Sequence, residues 1–131
     1  MQEPSISLTG AEWRVMECLW ESSPRTGREI AVWLGEKECW SRSTSLTLLR
    51  RLEAKGAVHG QQGDSGEVKT FRPLIRREAV ALEETESLLQ RAYRGSLSLL
   101  VSALTQKQTL PQEEIDELYA ILHELEAKRD D

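Results

Sequence analysis

At 131 residues, with 39% hydrophobic and 30% charged side chains, the chain is too apolar for disorder and fits a small domain with an appended helical segment. No stretch nears the roughly 20 apolar residues of a membrane helix, and the N-terminus lacks a basic and apolar signal pattern; a cytoplasmic protein without membrane partners is expected. The net charge of −5 taken whole disfavours nucleic acid, but it is polarised: net −3 over residues 1–40, net −7 over 78–131, and net +5 between them.

Thr9-Gly-Ala-Glu12 is a capping box, a hydroxyl and a carboxylate three residues apart that satisfy each other's helix-end amides. Trp13, Met16, Leu19 and Trp20 follow at helical spacing, predicting a first helix to about Glu21, broken by Ser22-Ser23-Pro24. Thr26-Gly-Arg-Glu29 is a second box. It opens a short helix with Ile30, Trp33 and Leu34 on one face, which Gly35 is expected to end. Cys18 lies in the first apolar pattern and reads as a small buried hydrophobe. With Cys39 it forms neither a disulfide framework nor a zinc spacing.

A third helix is predicted from the N-cap Ser41 to Lys55, with Gly56 as its stop. The period then changes. Ala57-Val58-His59 and Val68-Lys69-Thr70-Phe71 are β-like runs joined by a turn-rich connection, and Pro73 closes the second. From Ile75 the chain reads as helix, interrupted near Gly95. Leu97, Leu100, Val101 and Leu104 then share one face, and after Pro111 the series Ile115, Leu118, Leu122 and Leu125 steps by 3, 4 and 3, the seam of a helix packing on a helix. The expected fold is mainly α with a small two-stranded antiparallel wing: a winged helix-turn-helix domain over 1–75 and a helical dimerisation domain over 76–131. The two leucine-rich faces are its expected interface.

On the third helix Leu48, Leu49 and Leu52 share one side with Ser45. The opposite side presents Ser43, Thr47 and Arg50, flanked by Leu46 and by Thr44 and Arg51. Small hydroxyl residues let a helix approach base edges, and arginines pair with guanine or phosphate. The basic middle (Arg42, Arg50, Arg51, Lys55, Lys69, Arg72, Arg76, Arg77) surrounds this face, which points to double-stranded DNA as the partner. No glycine-rich phosphate loop, HExxH or GxSxG occurs, and the two histidines, His59 and His123, stand apart. Neither an enzyme nor a bound cofactor or metal is expected. The reading from another class is a winged-helix module that docks a protein instead of DNA.

Ala11-Glu12-Trp13-Arg-Val15-Met16 with Leu19-Trp20, Arg28-Glu29-Ile30, Trp40-Ser41 through Thr44, Thr47-Leu48-Leu49 and Arg51-Leu52-Glu-Ala-Lys55-Gly56 resemble the penicillinase and methicillin-resistance repressors, the BlaI/MecI/CopY family. Phe71-Arg-Pro73 and Leu110-Pro-Gln-Glu-Glu-Ile115-Asp-Glu-Leu118 extend the resemblance over residues 8–125. It implies a homodimeric repressor on a palindromic operator with TACA/TGTA-like half-sites, controlling resistance or transport genes. DNA-facing positions would be Arg42, Ser43, Thr44, Leu46, Thr47 and Arg51, with Lys69 of the wing on phosphate. Two residues depart from the pattern: Ser45, where a β-branched apolar residue is usual, and Leu46, where a basic or polar one is. The resemblance also implies a sensor protease that cuts the helical domain. The stretch Ser96-Leu-Ser-Leu-Leu100-Val101 lacks the usual Asn-Phe, and no cysteine follows Cys39 as a copper-responsive tail would require. β-Lactam-type regulation is favoured over copper-type.

Overall fold

The computed structural model describes residues 6–129. Both capping boxes form. Thr9 Oγ1 accepts from the Glu12 amide at 3.1 Å while Glu12 Oε1 accepts from the Thr9 amide at 2.9 Å, which opens helix α1 (Gly10–Glu21). Thr26 and Glu29 repeat the exchange at the start of α2 (Gly27–Glu38). Helix α3 (Arg42–Lys55) is capped by Ser41, whose Oγ accepts from the Thr44 amide, and ends on Gly56, whose φ of 83° lies in the left-handed region.

Gly35 does not end α2. The helix runs one turn further, to a left-handed cap at Cys39 (φ 58°) whose amide donates to the Gly35 carbonyl. A glycine inside a helix costs only about 1 kcal/mol relative to alanine. Glu38 in the added turn pairs with Arg14 of α1, a contact beyond the reach of local propensity.

Between α1 and α2 lies a two-residue strand, β1 (Arg25–Thr26). The hairpin strands are β2 (Val58–Gln61) and β3 (Thr70–Pro73), beginning one and two residues later than the β-like runs. The expected two-stranded wing is thus a three-stranded antiparallel sheet of order β1-β3-β2, with Arg25 opposite Phe71 on one side and Gly60 opposite Phe71 on the other. A two-residue strand has no measurable period, so only its partner β3 reveals it.

Val15, Met16, Cys18, Leu19, Ile30, Leu34, Leu49, Leu52, Ala57 and Val58 are buried together, and Trp13, Trp20, Trp33, Trp40 and Phe71 pack around them. The rings of Trp13 and Trp20 meet edge to face at 5.3 Å, and Trp20 Nε1 donates to the Ile75 carbonyl at 3.0 Å. Glu12 is buried in this wall; its carboxylate accepts from Lys55 Nζ at 2.6 Å, and the same ammonium donates to the Ser7 carbonyl. The start of α1 and the end of α3 are tied there.

Helix α4 (Arg77–Tyr93) places Val80 in the same core. The tertiary contacts divide the chain into two units, Met1–Thr85 and Glu86–Asp131, so the division falls inside α4, ten residues beyond the boundary expected after residue 75. Val80 accounts for the difference, since it draws the first turns of α4 into the winged unit. The second unit holds the rest of α4, α5 (Leu97–Lys107) and α6 (Gln112–Arg129). Neither α5 nor α6 buries a residue, and Leu97, Leu99, Leu104, Ile121, Leu122 and Leu125 are exposed. No helix among the described residues is long and apolar enough to cross a membrane.

Candidate nucleic-acid interface

Helix α3 is amphipathic in the way its spacing predicts. Ser45, Leu48, Leu49 and Leu52 are buried, whereas Arg42, Ser43, Thr44, Thr47, Arg50 and Arg51 are exposed. Its 14 residues span about 21 Å at 1.5 Å per residue, and a major groove about 12 Å wide admits such a helix. Ser41 Oγ donates to Thr44 Oγ1 at 3.0 Å, leaving the Thr44 hydroxyl its own proton to donate outward. Among the described residues no carboxylate is paired with Arg42, Arg50 or Arg51, so these charges face solvent uncompensated.

Leu46 differs from its neighbours: it is half-buried, packed on the edge of the core. Lys69 is also held back. Its Nζ lies 3.3 Å from Glu53 Oε2 of α3 and 5.3 Å from the centre of the Phe71 ring, so wing and α3 are joined through it. Lys55 is engaged by Glu12. Of the eight basic side chains between residues 41 and 77, two are therefore locally neutralised and the positive surface is carried by arginines. One of them, Arg72, was not among the expected site residues. It is exposed on β3 opposite His59, while Phe71 beside it turns inward. The two-residue period of the strand is the signal that finds it.

Ser45 sits at the back of α3, fully buried, and its hydroxyl has no hydrogen-bond partner among the described residues. Cys18 is buried as expected; burial pushes its thiol up to about 11, only partly opposed by the nearby Arg25. The α5 and α6 residues expected to pair, Leu97, Leu100, Val101, Leu104, Ile115, Leu118, Leu122 and Leu125, are exposed or half-buried, not covered.

Comparison with known proteins gives this geometry its context. The B. licheniformis BlaI monomer solved in complex with the blaP half-operator is similar to this chain with a TM-score of 0.51 and 29% identity, covering 57% of this chain and 89% of that one. The isolated DNA-binding domain of the repressor BlaI gives the same score and identity over 58% and 90%. In sequence, the penicillinase repressor of Bacillus licheniformis is 35% identical over 121 residues, 92% of this chain and 91% of that protein. The methicillin resistance regulatory protein MecI of Staphylococcus aureus (strain N315) is 25% identical over 123 residues, 94% and 98%. The family model described as penicillinase repressor matches residues 8–124, and the chain belongs to that family.

Proposed function

We propose that the chain is a DNA-binding transcriptional repressor that reads a palindromic operator as a homodimer. The observation that carries this reading is the exposed face of α3, where Ser43, Thr44 and Thr47 stand beside the uncompensated Arg42, Arg50 and Arg51. Hydroxyls and arginines on one helix face, next to a wing, supply base contacts and phosphate contacts together. Leu46 brings an apolar flank suited to a thymine methyl. Lys69 reaches phosphate by exchanging Glu53 for the backbone anion.

The helical segment serves as the dimerisation domain. Leu97, Leu100, Val101 and Leu104 of α5 with Ile115, Leu118, Leu122 and Leu125 of α6 form the shared core. The support is the apolar surface that this segment leaves uncovered, which a second copy would remove from water. Linking two readers raises the effective concentration of the second half-site, so severing the link is sufficient for induction. A sensor protease that cuts between Leu97 and Leu104 would do so, in keeping with β-lactam-type control of resistance or transport genes.

The test is a gel shift on a palindromic duplex over a salt series, with sedimentation in parallel. A dimer whose binding falls steeply with salt and prefers the palindrome is expected. A shift indifferent to salt and sequence supports the protein-docking alternative, and a monomer at micromolar concentration refutes the dimer. Following the intact chain by immunoblot during β-lactam induction tests cleavage: a full-length band that persists while target genes switch on rules it out.

A further inference from the structure

Helix α3, the start of α2 and strand β3 meet at one point. Leu46 of α3 and Phe71, on the central strand of the wing, both approach the first residue of α2, Gly27. A methyl group at Gly27 would stand 3.3 Å from Leu46 Cδ2 and 3.9 Å from Phe71 Cε2. The first distance is tighter than ordinary van der Waals contact. A side chain at residue 27 would therefore oblige Leu46 to give by a few tenths of an ångström.

We infer that Leu46 and Gly27 form a peg and notch that sets the seating of α3 against α2, and that this pair determines operator specificity. The inference rests on the repressor reading and adds to it a positioning role for a residue so far given only a groove contact. Gly27 lies in ordinary helical backbone, with no positive φ, so alanine there meets no backbone strain and favours the helix. What alanine changes is the room left to Leu46, which must give by a few tenths of an ångström and pass that shift to α3. Contacts to base edges depend on placement within about half an ångström, whereas phosphate contacts are long, charged and tolerant of it. Specific and non-specific binding should therefore respond differently.

The experiment uses the full-length chain and the duplex that the wild-type protein itself enriches from a random-sequence pool, with a scrambled duplex of equal length as the non-specific probe. Gly27→Ala is expected to lower affinity for the enriched duplex about tenfold, the worth of one displaced base contact, and affinity for the scrambled duplex less than about twofold. Its thermal midpoint should not fall. Leu46→Val removes the Cδ2 that the new methyl meets, so Gly27→Ala/Leu46→Val should bind the enriched duplex more tightly than the two single effects multiplied allow. An unchanged ratio of specific to non-specific affinity in Gly27→Ala, or single effects that simply multiply, overturns the peg and notch. A wild-type protein that enriches no sequence at all refutes the repressor reading beneath it.

Discussion

Lys55→Met isolates the tie between α1 and α3. In the wild-type protein Glu12 is 1% exposed, and its Oε1 accepts from both the Thr9 amide at 2.9 Å and Lys55 Nζ at 2.6 Å. Methionine keeps the length of the stem but leaves the carboxylate buried with only its helix-end donors. Breaking a fully buried pair costs about 3–5 kcal/mol. Because the Lys55 side chain is 38% exposed, water compensates part of this, and a loss of about 1.5–3 kcal/mol at pH 7 is expected. The pH dependence gives the sharper check. Burial alone raises the Glu12 pKa, but the Lys55 ammonium and the Thr9 donors outweigh it and hold the carboxyl below the usual 4.5. A depressed folded pKa means stability that is fully present above the unfolded value and lost as pH falls through the folded one. Without Lys55 only burial and the cap remain, protonation becomes less costly, and the gap between the two proteins should narrow below about pH 4.5. Urea titrations followed by tryptophan fluorescence report on this unit, since Trp13, Trp20, Trp33 and Trp40 all lie in it. A gap under about 0.5 kcal/mol at pH 7, or one that does not change with pH, would refute the reasoning.

Ser45→Ala should stabilise the same unit by about 1–2 kcal/mol, because it removes a buried hydroxyl without a partner among the described residues and improves helix propensity; a lower urea midpoint would mean the hydroxyl is satisfied after all. Arg51→Ala should cost about 1–3 kcal/mol in operator binding, and full affinity in that variant would place the contact on another face. Lys69→Ala should weaken all sequences about equally and flatten the salt dependence, and a loss confined to the operator would give Lys69 a base contact instead. In native protein at pH 8 an alkylating reagent should modify Cys39 quickly and Cys18 only after urea is added, because a thiol pushed up to about 11 is about one-thousandth thiolate there; equal rates would contradict the burial of Cys18.

Local chemistry wrote much of this protein into its sequence. The two capping boxes, the Ser41 cap, the Gly56 stop and the leucine side of α3 each need only residues within one or two turns of one another, so spacing alone reveals them. The expected DNA-facing side of α3 follows from the same periodicity, as does the apolar seam of α6. Everything that joins distant segments was decided by the tertiary structure. Strand β1 exists because β3 offers it an edge, and α2 outlasts Gly35 with Glu38 held by Arg14. Lys55 and Lys69 count as free positive charges in the sequence, yet they are claimed by Glu12, 43 residues earlier, and by Glu53 of the facing helix. Leu46 reads as one more residue on the exposed face until the missing side chain of Gly27 lets it settle against a neighbouring helix. A pattern along one helix records which way a side chain points; what it meets there depends on the chain folding back, and no local period encodes that.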